Sequence, residues 1–177
     1  MISPDSHELL RVIDSGSSER SLELGRRLGA ELVSDQGVAL DGELGAGKTL
    51  FTRGLAEGLG VDEPGEVRSP SYLLMIEHPG RVPLLHMDAY FADRGTDFLE
   101  DGGAVYQEEG GVLVIEWAKR LSLPMPEDFL AIEILHRGPT LRQFRFHGHP
   151  ELWLETVSRL DRLAHTGKKG SRSSKSR

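Results

Sequence analysis

Three observations predict an α/β domain of three layers around a mixed, partly antiparallel central sheet. Gly42-Glu43-Leu44-Gly45-Ala46-Gly47-Lys48-Thr49 matches the Gly-x-x-x-x-Gly-Lys-Ser/Thr phosphate-binding pattern. It stands between a short apolar run, Gly37 to Asp41, and a stretch in which Leu50, Phe51, Gly54, Leu55 and Leu59 recur at helical spacing. Strand, glycine loop and helix form the opening unit of a P-loop NTPase-like fold. Further along, two apolar runs flank His78-Pro79-Gly80-Arg81, which reads as a hairpin and makes the sheet mixed.

Taken in order, Leu10 to Ile13 is a first strand, broken by Ser15-Gly16-Ser17-Ser18. Ser17 or Ser18 caps a helix to about Val33, with Leu22, Leu24, Leu28 and Leu32 on its buried side. Ser34 to Gly37 turns into the P-loop strand, and the following helix stops near Gly58 or Gly60. Residues 61–68 read as loop. Tyr72 to Glu77 and Val82 to Tyr90 form the hairpin, expected beside the P-loop strand. Residues 91–111 are acidic and glycine-rich, consistent with surface helix and loop. Val112 to Ile115 is a fully apolar strand ending in Glu116-Trp117, and Ala118 to Leu121 is a single helical turn. Phe129 to Leu135 and Leu141 to Phe146 alternate as strands, and Pro150 to Leu163 returns to helical spacing. Residues 1–165 therefore read as one domain, with a helix over 149–165 and a disordered basic tail over 166–177.

The composition narrows the function classes. The chain has 177 residues, a formal charge of −7 and no cysteine, which excludes disulfides and a thiolate-bound zinc. His165 to Arg177 carries five basic residues and no acid, so the rest is more acidic still. An acidic body argues against stable DNA binding or a general nucleic-acid surface, and is compatible with a protein that meets nucleic acid only through a partner. The tail reads as a solubilising end or as a contact for nucleic-acid phosphates. No secretory signal or membrane-length apolar run is visible, and a cytoplasmic location is expected.

The loop wraps backbone N–H groups around phosphate oxygens at a helix N-terminus. Gly42, Glu43, Leu44, Gly45, Ala46, Gly47, Lys48, Thr49 and Leu50 are thus the nucleotide-binding candidates. Lys48 reaches the outer phosphates, and the Thr49 hydroxyl can ligate Mg²⁺. Glu116, at the end of a buried strand, is placed as a Walker B acid is. It reads as the second Mg²⁺ acid, or as a strand-end acid facing solvent. His86, Asp88 and Tyr90 alternate with Leu85, Met87 and Ala89 and form one polar row. Asp88 then orients water, joins the Mg²⁺ shell or marks the wet face of a half-exposed strand. Ser69 to Tyr72 is a γ-phosphate sensor or a simple turn. Trp117 is core, an adenine platform or an interface anchor. Arg68 or Arg94 is available to neutralise phosphate. The chain contains no asparagine, so the Asn-Lys-x-Asp guanine reader is missing and ATP is favoured. Arg137, Arg142 and Arg145 lie on or beside strands and offer no evident kinase lid.

The succession Gly42 to Thr49, Ser69-Pro70-Ser71-Tyr72, His86-Met87-Asp88-Ala89-Tyr90 and Ile115-Glu116-Trp117 resembles the TsaE (YjeE) family over about Leu10 to Phe146. The resemblance implies an ATPase required for threonylcarbamoyl modification of adenosine 37 in tRNA, acting with TsaD and TsaB, which carry out the transfer. It implies Mg²⁺ at Thr49 and Glu116, phosphates at Lys48, a role for Asp88 in hydrolysis, a switch-like loop over Ser69 to Tyr72, and Trp117 near the nucleotide. Ser71-Tyr72 and Phe91 depart from the usual Thr-Phe and Arg of that family. A small-molecule kinase and a non-catalytic nucleotide switch remain the alternatives from the residues alone.

Overall fold

The computed structural model describes residues 7–70, 75–90, 110–121 and 126–162. In chain order these form β1 (Glu8–Ser15), α1 (Ser18–Glu31), β2 (Gly37–Gly42), α2 (Lys48–Leu59), β3 (Met75–His78), β4 (Leu84–Asp88), β5 (Val112–Glu116), β6 (Leu130–His136), β7 (Arg142–Gly148) and α3 (Pro150–Arg162). Single 3-10 turns span Pro64–Glu66 and Ala118–Arg120. The seven strands make one sheet in the order β1-β7-β6-β2-β5-β4-β3. β6, β2, β5 and β4 run parallel at its centre, while β3 pairs antiparallel at one edge and β7 and β1 at the other.

Local chemistry sets the element ends. Ser17 is the N-cap of α1, its hydroxyl accepting the Arg20 N–H at 3.3 Å. α1 ends at Glu31, short of Val33, because Leu32 turns extended. α2 ends on Gly60, whose φ of 76° is the left-handed stop expected of a terminal glycine.

Alternation along the strands produces two cores. Val38 and Leu40, Val112 and Val114, Ile132 and Ile134, and Phe144 and Phe146 join Leu28, Phe51, Leu55, Trp153 and Val157, so α1, α2 and α3 cover one face of the sheet. Ala39, Leu113, Ile115, Leu85 and Met87 point the other way and meet Ala118, Leu121 and Phe129. The surface helix and loop expected over 91–111 lie outside the described residues except at 110–111, as do Tyr72, the end of the expected C-terminal helix beyond Arg162, and the basic tail.

α1 and α2 cross unusually closely. A Cβ on Gly25 would stand 2.4 Å from the Phe51 carbonyl oxygen, and one on Gly29 2.2 Å from that of Leu55. Reciprocally, Gly54 and Gly58 lie against the carbonyls of Leu22 and Arg26. Backbone therefore meets backbone along Gly-x-x-x-Gly faces of both helices, and Leu22, expected among the buried positions, is only half-buried.

Three expectations are corrected. The hairpin β3–β4 is not next to the P-loop strand, because β5 lies between β4 and β2. β5 is apolar on both faces and every residue in it is buried, which is the requirement for a central parallel strand. The polar row on β4 is not a half-exposed face either: His86 is 0% and Asp88 2% exposed. The strand is also shorter than expected, running from Leu84 to Asp88 after Pro83, because proline cannot donate to a ladder.

Candidate functional site

The P-loop leaves β2 and returns as α2. Gly45 and Gly47 take φ of 75° and 105°, conformations that a side chain would strain. Gly42 instead lies against β6, where a Cβ would come 2.5 Å from the Ile134 carbonyl oxygen. Gly47 is the N-cap of α2 and no side chain caps that end. Its first N–H groups and the positive end of the helix dipole therefore face the loop, as an anion requires.

Lys48 folds back along the loop. Its ammonium donates to the carbonyls of Gly42 at 2.8 Å and Glu43 at 3.0 Å, and lies 3.5 Å from the centroid of the Trp117 ring. Burial pushes its pKa below the ordinary lysine value, while the carboxylates of Glu116, Asp88 and Asp41 pull it back up. Trp117 follows β5 with φ 60° and ψ 35°, in the left-handed region. That turn is tied down where the Lys119 N–H donates to the Asp41 carboxylate at 3.0 Å. Burial raises the Asp41 pKa, against the opposing pull of that N–H and of the Lys119 and Lys48 charges. Tyr90 meets Trp117 edge-on at 5.0 Å, and the Arg120 guanidinium lies 4.4 Å from the Tyr90 ring.

The two acids are brought together by strand register. Asp88 and Glu116 are direct partners at the ends of β4 and β5, and Leu40 of β2 pairs with Glu116 on its other side. Glu116 is 2% exposed and well furnished with donors. The Thr49 hydroxyl donates to Oε2 at 3.0 Å, the Thr52 hydroxyl to Oε1 at 3.4 Å, and His86 Nε2 contacts Oε1 at 2.8 Å. Asp88 accepts the Ser69 hydroxyl on Oδ2 and the Tyr90 N–H on Oδ1 at 2.8 Å.

These groups border a cleft of about 570 Å³, lined by Leu44, Gly45, Gly47, Lys48, Thr49, Leu50, Ser69, Asp88, Tyr90, Glu116 and Trp117. Of the loop candidates, Gly42, Glu43 and Ala46 are not part of the lining, and the carbonyls of the first two hold the Lys48 ammonium. Trp117 is not simply core, being half-buried at the cleft wall. Glu116 does not face solvent. Arg68 is 75% exposed and pairs with Glu66, outside the cleft lining. Arg94, Ser71 and Tyr72 lie outside the described residues. Arg137 donates to Gln143, Arg145 pairs with Glu133, and Arg142 donates to the carbonyl of Ala46 at 3.2 Å.

Sequence reasoning missed three participants. Arg142 braces the P-loop from β7, and nothing in the sequence marks a contact across 96 positions. Thr52 was detectable, since it follows Lys48 by four and Thr49 by three and so shares their side of α2. His86 was noticed as a row member, but its bond to Glu116 depends on the β4–β5 pairing, which the sequence reading did not assign. Among the described residues no cluster of three or more His, Cys, Asp or Glu side chains is arranged to hold a metal. Thr49 and Glu116 offer a hydroxyl and a carboxylate, the hard oxygen donors that suit Mg²⁺ when phosphates and waters supply the rest.

A central parallel sheet, a glycine loop opening a helix and a buried acid on the adjacent strand define a P-loop protein of the mixed α/β class. The sequence matches the model of a family described as threonylcarbamoyl adenosine biosynthesis protein TsaE over residues 15–144, and the chain belongs to that family. Relatives named tRNA threonylcarbamoyladenosine biosynthesis protein TsaE include one from Streptomyces coelicolor, 44% identical over 115 residues, covering 63% of this chain and 76% of the relative. Another, from Bacillus subtilis, is 38% identical over 133 residues, covering 72% and 81%. The crystal structure of Bacillus subtilis YdiB superposes with a TM-score of 0.68 at 28% identity, covering 90% of this chain and 98% of that one.

Proposed function

We propose that this chain is an ATP-hydrolysing accessory protein for N6-threonylcarbamoyladenosine formation at position 37 of tRNA, acting in the cytoplasm beside TsaD and TsaB homologues and meeting tRNA only through them. The names of the relatives support the pathway. The geometry supports the chemistry, and one observation carries it: the Thr49 hydroxyl and the Glu116 carboxylate face each other at 3.0 Å across the mouth of the phosphate loop.

In this reading the N–H groups of residues 43–49 and the Lys48 ammonium bind the phosphates, with Lys48 leaving the Gly42 and Glu43 carbonyls to do so. Thr49 and Glu116 would hold Mg²⁺, which when bound neutralises charge developing on the outer phosphates. Asp88, two residues from His86 and directly across from Glu116, orients the attacking water and accepts its proton. Ser69 donates to Asp88, so the loop that carries Ser69 sets the direction of that carboxylate. Until Lys48 moves to the phosphates, Trp117 holds the ammonium against its ring, where cation and π-face attract.

The test is reconstitution. Purified TsaD and TsaB homologues, supplied with a threonylcarbamoyl donor, should modify tRNA repeatedly only when this chain and ATP are added. Lys48→Ala should abolish ATP binding, while Glu116→Gln should keep binding in the absence of Mg²⁺ and lose phosphate release. Modification that proceeds equally without the chain would remove the proposed role. Wild-type phosphate release from Glu116→Gln would remove the metal role of Glu116.

A further inference from the structure

The geometry points to His86 as a positioning residue that fixes the Glu116 carboxylate in the one orientation that presents Oε2 to Thr49. The inference rests on the metal-binding reading of Glu116 and extends it to a residue that lies behind the cleft.

His86 sits two residues before Asp88 on β4, opposite Val114 of β5, with no exposed surface. On a parallel pair its side chain would ordinarily meet Val114. Glu116 is two residues further along the same face, about 6.6 Å at strand rise. The imidazole spans this gap, and its Nε2 reaches Glu116 Oε1 at 2.8 Å. A carboxylate only accepts, so Nε2 is the donor and carries the hydrogen. The Thr52 hydroxyl touches the same oxygen at 3.4 Å and is itself fixed by the Lys48 carbonyl at 3.0 Å. The imidazole is therefore the main donor holding Oε1 on the buried side, since the single Thr52 hydrogen is shared with the nearer Lys48 carbonyl, and Oε2 is left pointing at Thr49.

The other ring nitrogen gives a second, independent observation. His86 Nδ1 is buried and has no hydrogen-bond partner. An orphaned buried polar atom destabilises the fold, and the apolar neighbours Leu84, Val112 and Val114 on this face would accept leucine. Packing alone does not call for histidine here. A leucine, however, would leave Glu116 Oε1 with the long Thr52 contact and free the carboxylate to rotate about its last bond. Partners that orient a metal-binding carboxylate typically change metal affinity by about 10- to 100-fold when removed.

The experiment compares His86→Leu, His86→Gln and Glu116→Gln in the full chain, reading ATP affinity with EDTA, ATP affinity across a Mg²⁺ titration, and turnover. Glutamine places an amide N–H where Nε2 stands. His86→Leu should bind ATP in EDTA as the wild type does, yet need about 10-fold or more Mg²⁺ for half-maximal effect. His86→Gln should recover most of that loss. A wild-type Mg²⁺ requirement in His86→Leu, or an equal loss of ATP affinity in EDTA, overturns the positioning role. If Glu116→Gln also keeps the wild-type requirement, the metal reading of Glu116 has failed first; if Glu116→Gln is impaired and His86→Leu is not, only His86 is misassigned. Nitrogen NMR of the intact wild-type protein needs no variant to fold: the Nε2–H tautomer is expected, and an Nδ1–H tautomer overturns the inference.

Discussion

Asp88 and Glu116 are neighbouring carboxylates with different surroundings, and the difference sorts their roles. Glu116 accepts from Thr49 and Thr52 of α2 and meets His86 of β4, so it is tied to the phosphate helix. Asp88 accepts from Ser69 and the Tyr90 N–H and borders the open cleft. Asp88→Asn should therefore bind MgATP within a few-fold of wild type while phosphate release falls by about 10²-fold or more, the usual scale for losing a group that handles the water proton. Equal losses in binding and release would mean that Asp88 supports the metal instead. Burial also lowers the pKa of His78, with His86 beside it adding to the effect. The unfolded chain takes up that proton near pH 6.5 and the folded one only at lower pH. Stability from His78 is thus complete above pH 6.5 and lost as the pH falls through the depressed value. His147 is shifted in the same direction, chiefly by burial. Melting temperatures at pH 7.5 and pH 5 should differ less in His78→Gln than in wild type; an unchanged difference would show that His78 does not contribute.

The α1–α2 pair argues at the level of the element. Alanine in a helix is favoured over glycine by roughly 1 kcal/mol, so Gly29→Ala would stabilise a loosely packed helix. Here the added Cβ would meet the Leu55 carbonyl oxygen at 2.2 Å, and overpacking of this kind costs about 1–3 kcal/mol. The expected net result is destabilisation, read by urea unfolding, and a stabilised variant would mean that the helices cross further apart. α2 carries Lys48, Thr49 and Thr52, so the helix held in this contact is the one that bears the site. The glycine spacing was visible in the sequence, but its meaning was not. Gly54 was read as a member of an apolar helix face, and only the partner backbone distinguishes a tolerated glycine from a required one. Element ends were legible where a cap fixes them, at Ser17 and Gly60. They were less legible in β4, where Pro83 shortens a run whose apolar pattern continues.

At the scale of the whole molecule, the phosphate loop was legible because its chemistry is contiguous, eight residues in a row. The rest of the site comes from four separate segments, and pairing order decides which of them meet. In the observed order β5 pairs with both β2 and β4, which puts Glu116 beside Asp88 and His86 on one side and the P-loop strand on the other. Arg142 illustrates the same point, since an antiparallel strand near the C-terminus supports a carbonyl in the phosphate loop. Among the described residues no helix is long and apolar enough to cross a membrane. The chain has two tryptophans, and they occupy opposite situations. Trp153 of α3 is 1% exposed in the core, its indole N–H donating to the Asp128 carbonyl at 3.0 Å. Trp117 carries the Lys48 ammonium against its ring. Trp153 therefore reports unfolding, whereas Trp117 is an internal gauge of where the phosphate lysine stands. In Trp153→Phe, the remaining fluorescence should shift in colour and intensity as ATP is titrated, because a positive charge departs from the indole face. The same titration in Trp153→Phe with Lys48→Ala should be flat. The protein thus carries its own optical readout of phosphate engagement, with no dye attached.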